Sequence, residues 1–166
     1  MTATIRPAGP ADAAAILGLV RALARYENLE DSVAASEADI AAALFGPSPR
    51  VFCDLAMAEG DVAGFALWFY SFSTFVGRHG IYLEDLFVEP AFRGRGLGKA
   101  MLAGLARRCV DENLGRFEWS VLDWNEPAIQ FYRARGARLL DDWTVCRVDG
   151  AALPALAGRT AAGHPR

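Results

Sequence analysis

Residues 88–102 read VEPAFRGRGLGKAML, with three glycines and three cations ahead of an apolar run. Glycine has no Cβ, so such a turn lets backbone N–H groups crowd an anion, and the macrodipole of a following helix adds positive potential. The spacing narrows the choice of anion. A P-loop needs G-x-x-x-x-G-K-[ST], but Arg93 stands five before Gly98, and Ala100 rather than a hydroxyl follows Lys99. The dinucleotide fingerprint G-x-G-x-x-G also fails, because Lys99 occupies the place of its third glycine. What remains is R-x-x-G-x-G, from Arg93 to Gly98.

Working outward, the pattern alternates between periods of two and 3.6. Residues 4–7 form a short strand candidate. Asp12 is placed to cap a helix with Ile16, Leu19, Val20 and Leu23 on one face, ending near Tyr26. Ser36 and Asp39 start a second, shorter helix that stops before Pro47. Strands follow at 51–58 and 62–72, joined across Gly60 and Asp61, and at 81–88 after the loop SFSTFVGRHG. Leu97, Met101, Leu102, Leu105 and Cys109 give the helix after the glycines one apolar face. A strand at 116–122, a helix capped by Asn125 with Pro127 in its first turn and Gly136 after its end, and a sheet-closing strand at 143–148 complete the order. This is an α/β arrangement: one domain over 1–150, then an Ala/Gly/Pro-rich, loosely held tail over 151–166.

Composition bounds the function. The 166 residues are 53% hydrophobic, enough for a real core. A net charge of −3 and a pI near 5.4 argue against general nucleic-acid binding, which rests on a basic surface. Lys99 is the only lysine among 17 basic residues, and it shares one turn with Arg93 and Arg95. Cys53, Cys109 and Cys146 are odd in number and widely spaced, which suggests neither a zinc site nor a disulfide framework; buried, reduced thiols are expected, and no metal. Without a charged leader or an apolar run of spanning length, a cytoplasmic protein with no membrane partner is expected.

The motifs R-x-x-G-x-G after YLEDLFV, then VLDWNEPAIQFYRARGA, together with RYE at the end of the first helix, carry a resemblance. The chain resembles the GNAT superfamily of N-acetyltransferases, and within it the branch of diamine (spermidine/spermine) and thialysine acetyltransferases, from about Ile5 to Val148. The resemblance implies a mixed central sheet of about six or seven strands, splayed at its centre and flanked by about four helices. It also implies acetyl-coenzyme A as cosubstrate, a small primary amine as acceptor, and a homodimer with the amine site at its interface. Arg93, Gly94, Arg95, Gly96, Leu97, Gly98 and Lys99 would hold the pyrophosphate, the three cations adding attraction for the phosphates. Leu86, Phe87 and Val88 would pair with pantetheine like an added strand, and Asn125, Glu126, Pro127 and Ala128 would also touch the cosubstrate.

Glu84 and Asp85 are adjacent carboxylates in an apolar strand, so they face opposite sides unless a bulge intervenes. Burying either unpaired is costly, and pairing with an arginine such as Arg147 is one explanation. The resemblance offers another: a bulge in this strand, with Glu84 facing the amine. An ammonium must lose a proton before it attacks a thioester, and the departing thiolate must gain one. The resemblance assigns Glu84 as base, through water, and Tyr132 as acid; from spacing alone Tyr132 is equally a core aromatic. Asn125 serves as helix cap in either reading. For the amine, the resemblance points to Tyr26, Glu27, Glu84, Asp85, Glu118, Trp119 and Ser120, and to Asp142 or its neighbour Asp141. No serine or cysteine is placed with a histidine as a nucleophile, which favours direct attack in a ternary complex.

One departure bears on substrate. Polyamine-acetylating members carry an acidic residue before the fourth strand, where this chain has Ser73, Thr74 and Phe75. STF and VLDWN look closer to thialysine-type members, whose amine bears an amino-acid carboxylate; Arg78 is a candidate to meet it. Other readings stay open: a non-catalytic acyl-coenzyme A binding dimer, or acetylation of a protein or antibiotic amine.

Overall fold

The computed structural model describes residues 4–159, which fall into two compact units, one ending at Ser120 and the other beginning at Val121. The first holds a five-stranded mixed sheet in sequence order: β1 (Thr4–Pro7), β2 (Phe52–Ala58), β3 (Asp61–Ser73), β4 (Arg78–Val88) and β5 (Phe117–Trp119). All neighbours run antiparallel except β4 and β5, which are parallel. Three helices belong to this unit: α1 (Ala13–Tyr26), α2 (Glu37–Phe45) and α3 (Leu97–Asp111).

The two ends of the chain before β2 form as their sequences dictate, with one change of role. Ser36 caps α2 through the reciprocal bonds with Asp39 that a capping box requires. Asp12 precedes α1 but gives it no side-chain cap. Its carboxylate instead accepts a two-pronged bond from Arg6, at 2.7 and 2.8 Å, and one from the Gly9 N–H at 2.7 Å. That pairing ties β1 to the start of α1 and holds the Asp12 carboxyl down at about 2.

The β2–β3 turn is Glu59 and Gly60, with φ of 58° and 93°, and Asp61 already pairs with Ala58. Two positive φ values in a two-residue loop match the twist of the flanking strands. The expected loop over 71–80 is mostly strand: Ser73 pairs with Arg78 around a four-residue turn, because alternate residues continue the β3–β4 ladder to that point.

The core lies on both sheet faces. Ile16 and Leu19 of α1 and Leu44 of α2 pack with Leu55, Phe65 and Phe87. On the other face α3 buries Leu97, Met101 and Leu105 against the sheet. Leu55 and Phe65 are fully buried, each contributing roughly 2–3 kcal/mol of apolar transfer.

The second unit holds α4 (Glu126–Arg133) and α5 (Ala152–Leu156). One expectation is corrected here. Residues 143–148 form no strand among the described residues; Trp143 and Val145 are exposed, and the alternation had no ladder partner to make it a sheet edge. Among the described residues the sheet has five strands. The tail after Gly150 includes the short helix α5, and its part from 160 onward lies outside the described residues. No described helix is long and apolar enough to cross a membrane.

Candidate active site

The end of β4 is where the sheet opens. Trp68 pairs with Leu83 and Leu67 with Asp85, so Glu84 is an extra residue facing no partner in β3. This is the β-bulge that the resemblance implied. Pairing between β4 and β5 runs only from Ile81 with Phe117 to Leu83 with Trp119. β5 is accordingly shorter than the expected 116–122: the bulge turns β4 away, and Glu84, Asp85, Leu86, Phe87 and Val88 have no β5 partner.

Glu84 is exposed, whereas Asp85 is half-buried. Burial pushes the Asp85 carboxyl up to about 6, with Glu84 and Glu27 adding like-charge repulsion. Glu27 is the C-cap of α1, and its own carboxyl is raised by burial. Three carboxylates thus share one region, next to Tyr26 at the end of α1. Glu118 pairs with Arg116 at 2.6 Å, and the Ser120 and Tyr82 hydroxyls lie 2.7 Å apart, so Glu118, Trp119 and Ser120 line the strand beside the bulge. Arg78 stands six residues before Glu84 and bonds Asn113. At the rise of a strand this is ~20 Å away, which removes Arg78 as a partner for the far end of a small amine bound at Glu84 in the same chain.

The glycine-rich turn meets the geometric demands of an anion cradle. Gly94 and Gly96 have φ of 77° and 80°, a region costly for residues with a Cβ, and no protein atom lies within 4 Å of where either Cβ would stand. Gly96 is the N-cap of the 15-residue α3, whose start has no side-chain cap and no acid in its first turn. The first intrahelical bond runs from the Ala100 N–H to the Gly96 carbonyl, leaving the N–H groups of Leu97, Gly98 and Lys99 for an outside acceptor.

Arg93 donates from Nε to the Val88 carbonyl at 2.9 Å and lies over the Tyr26 and Phe87 rings. Arg95 pairs with Glu59 at 2.5 Å and covers the Phe92 ring. Two of the three cations are thus bound to the protein's own groups, because carboxylate, carbonyl and aromatic faces lie within their reach. Sequence reasoning missed Glu59 as a partner; nothing in a turn glutamate flags a residue 36 positions away.

In the second unit, the Asn125 side chain accepts from the Ala128 N–H at 3.3 Å, capping α4, with Pro127 in the first turn and Glu126 bonded to Gln130. Tyr132 is largely buried at 9% exposure, its ring 5.3 Å from that of Phe131. Gly136 has the left-handed φ of 86° expected after the helix. Asp142 and Arg147 are exposed. Of the cysteines, Cys53 is buried and its thiol pushed up to about 12, and Cys109 is half-buried. Cys146 is exposed, correcting the expectation of three buried thiols, because its segment joins no sheet.

The mixed sheet, with its bulge in β4, thus leads through a glycine turn into a helix that starts without a side-chain cap. The family model described as "Acetyltransferase (GNAT) family" matches residues 17–137, and the chain belongs to that family. Its enzyme class is that of a GNAT-type N-acetyltransferase. A thialysine N-epsilon-acetyltransferase of Bos taurus is 38% identical, over 93% of this chain and 97% of that one. An L-ornithine N5-acetyltransferase of Arabidopsis thaliana is 31% identical, over 94% and 88% respectively. Among solved structures, an integron cassette protein from the mobile metagenome of V. cholerae superposes with a TM-score of 0.79 at 29% identity, covering 95% of this chain and 98% of that one.

Proposed function

We propose that this enzyme acetylates a primary amine of a small cationic substrate from acetyl-coenzyme A, by direct attack in a ternary complex. The observation that carries the reading is the bulge at Glu84, which brings Glu84, Asp85 and Glu27 together at the open end of β4. Carboxylates suit an alkylammonium. The thialysine and ornithine specificities of its relatives favour an amine carried on an amino acid over a polyamine.

The cosubstrate supplies an activated acetyl group as a thioester. The N–H groups at the start of α3 hold its pyrophosphate, and the unpaired edge of β4 aligns its pantetheine arm. Glu84 accepts, through water, the proton that the ammonium must lose. Tyr132 Oη supplies a proton to the departing sulfur. The N–C bond forms as the C–S bond breaks; of the two protons the ammonium nitrogen gives up, one leaves through Glu84 to solvent and the other restores the proton that Tyr132 gave to the thiolate. Asn125, Glu126, Pro127 and Ala128 complete the cosubstrate contacts, and Glu118, Trp119, Ser120 and Asp142 those of the amine. A homodimer in the cytoplasm belongs to the same reading.

The test is thiol release from acetyl-coenzyme A with thialysine, lysine, ornithine, putrescine, spermidine, spermine and a basic peptide, against amine-free controls. Turnover confined to the amino acids is expected. Turnover on the basic peptide alone, or cosubstrate binding without amine-dependent release, would overturn the reading.

A further inference from the structure

We propose that Arg93 is a positioning residue that couples the glycine-rich turn to the amine site through Tyr26, rather than a ligand to the phosphates. The inference rests on the proposed function, since it takes the turn as the cosubstrate site and the end of α1 as part of the amine site.

One guanidinium joins three segments. Its Nε donates to the Val88 carbonyl at 2.9 Å, which fixes the start of the turn to the end of β4. Its Cζ sits 4.9 Å from the centre of the Tyr26 ring, at the last residue of α1, and 5.4 Å from the centre of the ring of buried Phe87. Backbone bonds from Glu27 to Leu23 and from Leu29 to Ala24 hold the end of α1, and Arg93 packs over the ring of partly exposed Tyr26. Glu27, whose charge acts on Asp85, follows directly.

The next residue, Gly94, begins the left-handed turn. An anion seated on that turn fixes the backbone from which the Arg93 side chain projects, and through it the ring of Tyr26 at the end of α1. Coupling is reciprocal: an amine that orders Tyr26 tightens the turn for the cosubstrate by the same factor. Lysine cannot substitute, because it has neither the Nε donor nor the planar face that stacks on two rings.

Calorimetry on the full chain tests this with two unreactive partners, thialysine and free coenzyme A, alongside turnover by the parent enzyme. Thialysine is expected to bind the parent about fivefold tighter when coenzyme A is saturating, equivalent to ~1 kcal/mol. Arg93→Met, Arg93→Lys and Tyr26→Leu should each bring that factor close to one, and Arg93→Met with Tyr26→Leu should do no more than either alone. Tyr26→Phe keeps the ring and should keep the factor. Tyr26→Leu changes a partly exposed side chain, so it reports even if the Arg93 variants fail to fold. Weaker coenzyme A binding in Arg93→Met with the factor intact would make Arg93 a phosphate ligand and overturn the inference. A parent that binds coenzyme A and turns over amines with a factor of one would overturn it while leaving the proposed function standing. A parent with neither binding nor turnover would remove both.

Discussion

Leu83 and Asp85 stand two apart in one strand yet face opposite sides of the sheet, because Glu84 between them has no partner in β3. Leu83 pairs with Trp68 on the α3 side, and Asp85 with Leu67 on the side of Phe65 and Phe87. A regular strand would have put Leu83, Asp85 and Phe87 on one face. The bulge places a carboxylate against the apolar core of α1, and that burial raises it.

The raised carboxyl gives a signed pH dependence. With a folded value of about 6 against 3.8 unfolded, the native state binds more protons than the unfolded chain between those limits, so stability falls as pH rises through that window. Below it both states are protonated, and above it the full penalty applies. Asp85→Asn removes the penalty: urea midpoints should show the variant more stable by about 1–2 kcal/mol at pH 7.5 and equal to the parent near pH 3.5. The same gain at both pH values would sink the assignment.

Glu84 offers the complementary case, a carboxylate left exposed. Glu84→Gln should change stability by less than ~0.5 kcal/mol while lowering amine-dependent turnover by about 10²–10⁴. Unfolding curves and steady-state rates on the same preparation separate the two effects.

Gly96 sits at φ 80° with nothing near a prospective Cβ. Gly96→Ala should fold, cost roughly 1–2 kcal/mol from backbone strain, and weaken acetyl-coenzyme A binding at least ~10-fold. Gly18→Ala, in the exposed face of α1, should instead stabilise by roughly 1 kcal/mol and leave affinity unchanged. Calorimetric affinities for both variants decide whether the loss belongs to the turn.

Glu59 holds Arg95 in an ion pair whose side chains are 42% and 45% exposed. Such a pair adds little stability, so Glu59→Gln should leave the melting temperature nearly unchanged. Freed from Glu59, Arg95 should tighten acetyl-coenzyme A binding by about 2- to 5-fold, with a steeper dependence on salt. Weaker binding would mean that Glu59 organises the turn rather than competing for its cation.

Within the second unit, Asn125 and Tyr132 separate structural from chemical roles. Asn125→Ala removes the bond to the Ala128 N–H and should cost ~1 kcal/mol in denaturant unfolding. Tyr132→Phe should keep acetyl-coenzyme A affinity and lower turnover by about 10². Unchanged turnover would take Tyr132 out of the mechanism.

The local signals were legible in the chain. Ser36 with Asp39, Asn125 before Pro127 and the glycines at 94, 96 and 136 act through bonds and dihedrals within a few residues, so their spacing was enough to place α2, α4 and the turn before α3. Adjacent Glu84 and Asp85 in an apolar strand left a bulge and an arginine pairing both open, and the family resemblance pointed to the bulge. Tertiary structure alone decided which carboxylate is buried, that Arg93 and Arg95 meet Tyr26 and Glu59, and that residues 143–148 stay out of the sheet. Each of these depends on what a distant segment places opposite a side chain or a backbone edge. Burial, charge pairing and strand pairing are properties of two surfaces brought together, and a residue's neighbours in sequence supply only one of them.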